Sequence, residues 1–100
     1  VVERFQYTFE WDPKKAANNR RKHGIGFEQA TLVFSDPLAL SIYDEEHSEA
    51  EERWITLGKT AGDVLVVVHT YREIHDNETL IRIISARTAT THEQRQYEAQ

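Results

Sequence analysis

The stretch "DVLVVVHTYR", residues 63–72, sets five consecutive aliphatic residues, Val64 to Val68, in a chain of only 100. β-Branched side chains suit a pleated surface. An unbroken apolar run, unlike an alternating one, marks a strand buried on both faces. The run therefore belongs at the centre of a sheet, and the rest of the chain must supply neighbouring strands and a covering layer. At this length it falls far short of a bilayer span.

The neighbours are legible on both sides. "RWITLG" (53–58) precedes the run across the turn "KTAG", and "TLIRIISAR" (79–87) follows it across "EIHDNE". Short connections of this kind imply an antiparallel meander. "LALSIYD" (38–44) reads as a further strand, and "RFQYTFEW" (4–11) alternates Phe5, Tyr7, Phe9 and Trp11 with polar residues, a half-buried strand. Between these lie two helices. Asp12 is an N-cap and Pro13 takes the first helical position, while "RRKH" fills a basic last turn and Gly24 stops it. Gly26 then opens a shorter helix with Phe27, Ala30, Val33 and Phe34 on one face. A last helix starts at Thr90, three residues before Glu93, the spacing of a capping box. The order β-α-α-β-β-β-β-α predicts an α+β fold: one domain over residues 1–100, a mostly antiparallel sheet, helices on one face and an open face opposite.

Charge is unevenly spread. The net charge is −5, yet residues 1–35 carry +2, residues 36–54 carry −6 and residues 55–100 carry −1. An acidic total argues against charge-driven binding to nucleic acid, but leaves room for a local basic cleft. The chain holds no cysteine, which excludes disulfides, zinc–thiolate sites and thiol nucleophiles. With no charged-then-apolar leader at its start, the expectation is a cytoplasmic protein.

The candidate chemistry lies in cations and histidines. His23 ends the basic run and could serve as a general acid or base; it could equally cap the last helix carbonyls. His47 sits among carboxylates in "DEEHSEAEER", whose spacing matches no metal-ligand pattern. Arg53, Arg72, Arg82 and Arg87 lie in or beside strands, where an arginine needs a carboxylate partner or an anionic ligand such as phosphate. With turns near Thr60 or Ala61 and near Asp76, Thr70 is expected opposite about Arg82, Leu65 opposite about Arg87 and Arg53 opposite about Val68. Arg53, Arg72 and Arg82 then gather at one end of the sheet, with Arg87 about 15 Å away. Salt bridges to the acidic 44–52 segment would account for the same arginines. Glu52 is expected on the face opposite Arg53.

Taken together, "FEWDPKKAANNRRKHGIGFEQA", "VFSDPLAL", "DEEHSEAEERWITLG", "VLVVVHTYRE" and "IRIISARTATTHEQRQYE" resemble the BrnT toxins of bacterial type II toxin–antitoxin systems. The resemblance covers Lys22, His23, Gly24, Phe27, Ala30, Asp44, His47, Glu52, Arg53, Arg72, Arg82, Ser85, Ala86 and Arg87. Two features depart from it: Gly26 stands where the family has Ser or Thr, and the last helix is less basic. The resemblance implies a RelE-like fold and a ribonuclease that arrests growth. It implies as partner a BrnA-like ribbon-helix-helix antitoxin, through which alone DNA is contacted, and a toxin homodimer within a heterotetramer. The expected site has His23, Glu52, Arg53 and Arg72 as catalytic residues, His47 behind them, and Lys22, Arg82 and Arg87 on the RNA. Neither a metal nor another cofactor is expected. The competing expectation is a module that binds RNA or protein without chemistry.

Overall fold

The computed structural model describes residues 6–100, so Phe5 of the first expected strand lies outside the described residues. The chain forms β1 (Gln6–Glu10), α1 (Pro13–His23), α2 (Phe27–Thr31) running into a 3₁₀ turn (Leu32–Ser35), and β2 (Leu40–Tyr43). A second 3₁₀ turn (Glu45–His47) leads to β3 (Trp54–Thr60), β4 (Asp63–His75), β5 (Glu78–Thr88) and α3 (Thr91–Glu98). This is the expected α+β order. The strands lie β1-β5-β4-β3-β2, with the aliphatic strand in the middle and Val64 to Val67 all buried. Strands β2 to β5 are antiparallel; β1 is the exception and joins β5 in parallel. The helices carry the chain from one sheet edge to the other, which puts β1 and β2 at opposite rims.

Both hairpins turn more tightly than the expected loops. Ala61 and Gly62 take φ of 52° and 89° between β3 and β4, the mirror-image turn that suits twisted strands. Asn77, at φ 65°, does similar service between β4 and β5. The first turn therefore centres one residue later than the sequence suggested. Ile55, not Arg53, faces Val68, and extending the register brings Arg53 level with Thr70. Thr70 does pair with Arg82, as expected. Beyond it, Ile84 is squeezed out as a bulge, so Arg87 faces Val66 and not Leu65.

Alternation along β4 divides the core in two. Leu65 and Val67 point toward α2, joining Phe27, Ala30, Val33, Ile81 and Ile83 in the main cluster. Phe27 is fully buried and meets Trp11 edge-on at 5.9 Å. Close packing here requires Gly58, since a Cβ at that position would lie 2.5 Å from Val33 Cγ1. Val64 and Val66 point the other way and pack with Leu57 and with Tyr97 of α3. Tyr97 is tied down by its hydroxyl, which donates to Asp36, so α3 covers one end of the second face. Among the described residues, no helix covers the remainder of that face.

Helix α1 has no apolar stripe and is held by other means. The Asp12 carboxylate accepts the Lys14 amide at 2.9 Å, and Gly24, at φ 73°, donates back to the Arg20 carbonyl. Its one buried side chain is Asn19. Pairing of β1 with β5 ends at Arg82, and α1 lies against the stretch beyond. There the Asn19 amide accepts from the Ala86 N–H at 3.1 Å and donates to the Ala86 carbonyl at 2.8 Å and the Ile25 carbonyl at 3.0 Å. A single side chain thus does the work of a missing strand. Asn19→Ala leaves those buried groups unpaired and is expected to lower stability by about 2 kcal/mol, measurable by urea unfolding. A loss under about 0.5 kcal/mol would mean that the edge is satisfied in some other way.

His69, next to the aliphatic run of β4, is fully buried. Its Nδ1 donates to the Thr70 carbonyl at 3.3 Å, leaving Nε2 to accept the Thr56 hydroxyl at 2.6 Å. Ser41 extends the chain outward, 2.8 Å from Thr56 and 3.4 Å from the Tyr71 hydroxyl. Phe34 and Tyr71 stand edge-on to the ring at 4.8 and 4.7 Å. Burial pushes the imidazole down to about 4, so at neutral pH it is uncharged.

Candidate functional site

The open face carries the arginines. Because Thr70 and Arg72 are two apart on β4, their side chains share that face about 6.7 Å apart, and Arg82 joins them as the cross-strand partner of Thr70. Together with Leu80, Glu51 and Glu52 they line a groove of about 460 Å³. Arg72 is exposed and, among the described residues, is in no ion pair. Glu51 joins the others: one carboxylate oxygen accepts from Arg82 and the second lies 3.7 Å from Arg53.

Arg53 stands at the neck of the acidic loop, before β3 begins. The loop is closed by the Asp44 amide donating to the Arg53 carbonyl at 2.9 Å. Inside it the Ser48 hydroxyl donates to the Asp44 carbonyl and accepts the Arg53 amide at 3.0 Å. Since residues 52 and 53 precede the strand, the expected strand alternation between Glu52 and Arg53 does not apply to them. Glu52 lines the same groove as Arg72 and Arg82, while Arg53 lines a second depression of about 350 Å³. Among the described residues, the buried Arg53 Nε has no hydrogen-bond partner.

The second depression brings His47 and Asp44 beside Arg53, with Val68, Ile84 and Ser85 as its floor. His47 Nδ1 is 3.0 Å from Asp44 Oδ2, a carboxylate contact that orients the ring and turns Nε2 outward. Ile84 and Ser85 also line a third depression, about 220 Å³, whose rim holds Lys15, Lys22 and His23 at the end of α1. His23 and Lys22 therefore do not share the Arg72 groove; they reach the open face around the sheet edge. Three adjoining hollows form a track from His23 through His47 and Arg53 to Arg72 and Arg82.

Arg87 lies apart from it, as its distance along β5 implied. Its guanidinium donates to both oxygens of Glu93, at 2.8 and 2.9 Å. Glu93 also accepts the Thr90 amide while Thr90 accepts that of Glu93, completing the expected capping box. The hydrogen bond from Arg87 pulls the Glu93 carboxyl down to about 2 and raises the guanidinium in turn. Arg87 thus anchors α3 at the end of the open face. Among the described residues no three His, Asp or Glu side chains converge as metal ligands would.

Chemically, the track offers fixed positive charge beside two orientable imidazoles and a carboxylate. Guanidinium groups stabilise charge on phosphoryl oxygens, and imidazole or carboxylate groups move protons. Sequence reading identified these residues but missed Glu51 and Ser48, whose roles depend on how the acidic loop folds back. No curated protein matches the chain. Over residues 11–93 the sequence matches the family described as "Ribonuclease toxin, BrnT, of type II toxin-antitoxin system".

Proposed function

The chain belongs to the BrnT family of ribonuclease toxins of type II toxin–antitoxin systems, and from that premise we propose that it cleaves RNA without a metal on the open sheet face. The observation that carries this reading is the gathering of Arg72 and Arg82 with Glu52 in one groove, with Arg53 joined to them through Glu51. RNA brings its own nucleophile. The 2′-hydroxyl attacks phosphorus, the P–O5′ bond breaks, and the products end in 2′,3′-cyclic phosphate and 5′-hydroxyl. One group must take the 2′ proton and another must supply one to O5′.

Arg53 lies between a carboxylate side and an imidazole side. Glu52 is on the first; His47, positioned by Asp44, and then His23 are on the second. The acid and base come from these two sides, with Arg53 and Arg72 stabilising the charge that builds on the nonbridging oxygens. Arg82 and Lys22 guide the RNA backbone before and after the cut. Growth arrest, neutralisation by a BrnA-like ribbon-helix-helix antitoxin and assembly into a heterotetramer of two toxins and two antitoxins complete the proposal, with RNA of the cytoplasm as the target.

A second reading, binding without chemistry, draws support from the ion pairs of Arg53 and Arg82 with Glu51. The two part in one assay. Antitoxin-free protein is incubated with a defined RNA, with and without EDTA and with and without ribosomes, and the product ends are identified. EDTA-resistant cleavage to 2′,3′-cyclic phosphate is the expected result. Intact RNA in every condition, from folded protein, would establish the binding reading.

A further inference from the structure

The ion pairs of Glu51 have a form that matters. Its two carboxylate oxygens are divided between two guanidinium groups, Oε2 taking Arg82 and Oε1 facing Arg53. The two nonbridging oxygens of a phosphodiester would engage the same pair in the same way, and a guanidinium fork suits either anion. Arg72 completes the groove from β4. We propose that Glu51 is a built-in occupant of the RNA phosphate seat, which must swing out before an RNA phosphate can enter between Arg53 and Arg82. The inference rests on reading the groove as a phosphate site.

The chain can make that exchange at little structural cost. Glu51 is 40 % exposed and so has solvent to move into. It belongs to the irregular returning limb of the acidic loop, between the 3₁₀ turn and β3. The bonds that close the loop are made by Asp44, Ser48 and Arg53, and none of them involves the Glu51 side chain. A swing of Glu51 therefore leaves the neck and Arg53 in place. The carboxylate also spares the folded protein two arginines facing each other with no counterion. In binding terms Glu51 is a competing ligand tethered at high local concentration, and it lowers the apparent affinity for RNA by the fraction of time it occupies the seat.

Glu51→Gln keeps the size of the side chain and removes its charge. The probe is a 2′-O-methyl oligoribonucleotide, which presents phosphates but cannot be cleaved. The expected result is roughly tenfold tighter binding by Glu51→Gln, against less than about twofold for Glu49→Gln, a charge-matched control in the same loop. Equal gains in the two variants would reduce the effect to general electrostatics, and weaker binding by Glu51→Gln would make Glu51 a support for the arginines; either overturns the proposal. In the unaltered protein, the ¹³C resonance of the Glu51 carboxyl is expected to shift on saturation with the oligonucleotide. A carboxyl that stays unmoved while the oligonucleotide is bound also overturns it. Cleavage of unmodified RNA is scored separately. Loss of the ribonuclease reading with the affinity gain intact, and loss of the gain with cleavage intact, are thus distinguishable.

Discussion

Arg53→Ala is expected to reduce RNA cleavage by about 10²–10³-fold, the usual loss when one fixed donor to a developing oxyanion is removed. The placement of Arg53 supports so large an effect. Its backbone is held on both sides of the Cα, the amide by Ser48 and the carbonyl by Asp44, so the side chain projects from a fixed base. It also lines the hollow that holds His47 and reaches Glu51 in the neighbouring groove, which makes it, among the described residues, the one arginine in contact with both halves of the track. Stability should change little, because its ion pair with Glu51 is long, at 3.7 Å, and partly open to solvent. The melting temperature is expected to move by less than about 5 °C, corresponding to less than about 1 kcal/mol for a domain of this size. If Arg53 were instead a structural tie, the melting temperature would fall by about 10 °C or more and cleavage would fall only in proportion to the unfolded fraction. Measuring both quantities on one preparation decides between the two.

How far the sequence anticipates this site depends on the range of the interactions. The central strand was legible because a run such as Val64 to Val68 has few ways to be buried. Asp12, Gly24 and Thr90 were legible because caps are local chemistry, satisfied within a few residues. The grouping of Arg53, Arg72 and Arg82 followed from strand pairing and survived errors of one or two residues in register, since β4 and β5 meet at Thr70 and Arg82 as expected. What escaped depends on distant parts of the chain. Nothing near Asn19 in sequence says that it will complete the edge of β5, 67 residues away. The parallel attachment of β1 was hidden for a similar reason, because its partner β5 comes last among the strands. The acidic loop was legible as a charge pattern and as a source of salt bridges, but which glutamate would reach the arginines depended on how Ser48 and Asp44 close it. His69 gave no sign of its role because a histidine in an apolar strand looks the same whether it is a defect or the end of a hydroxyl chain.

That buried histidine leads to a large effect of pH on stability. In the folded protein His69 binds a proton only near pH 4, whereas in the unfolded chain it does so near 6.5. Its folded value is lowered, so its contribution is complete above about pH 6.5 and is lost as the pH falls toward 4. The unfolded state takes up the proton that the folded state refuses, at a cost to folding of about 3 kcal/mol over that window. Glu93 extends the loss to lower pH. Its carboxyl is held at about 2 against an ordinary 4.5, so its contribution is complete above 4.5 and disappears as the pH falls toward 2, with up to about 2 kcal/mol at stake after solvent screening. Asp36, held low by hydrogen bonds from Tyr97, Lys59 and Leu38 that outweigh its burial, adds to the loss in the same direction. Urea unfolding across pH 7.5 to 3 should therefore show stability falling in two stages, first with His69 and then with the carboxylates. His69→Gln, which keeps a polar group near Thr56 but cannot take up a proton, is expected to flatten the stage between 6.5 and 4 and leave the lower one. Glu93→Gln should do the reverse. An unchanged slope between 6.5 and 4 in His69→Gln, or an imidazole of the unaltered protein that titrates near 6.5 by NMR, would show that the ring is open to protons in the folded state and that burial does not hold it neutral.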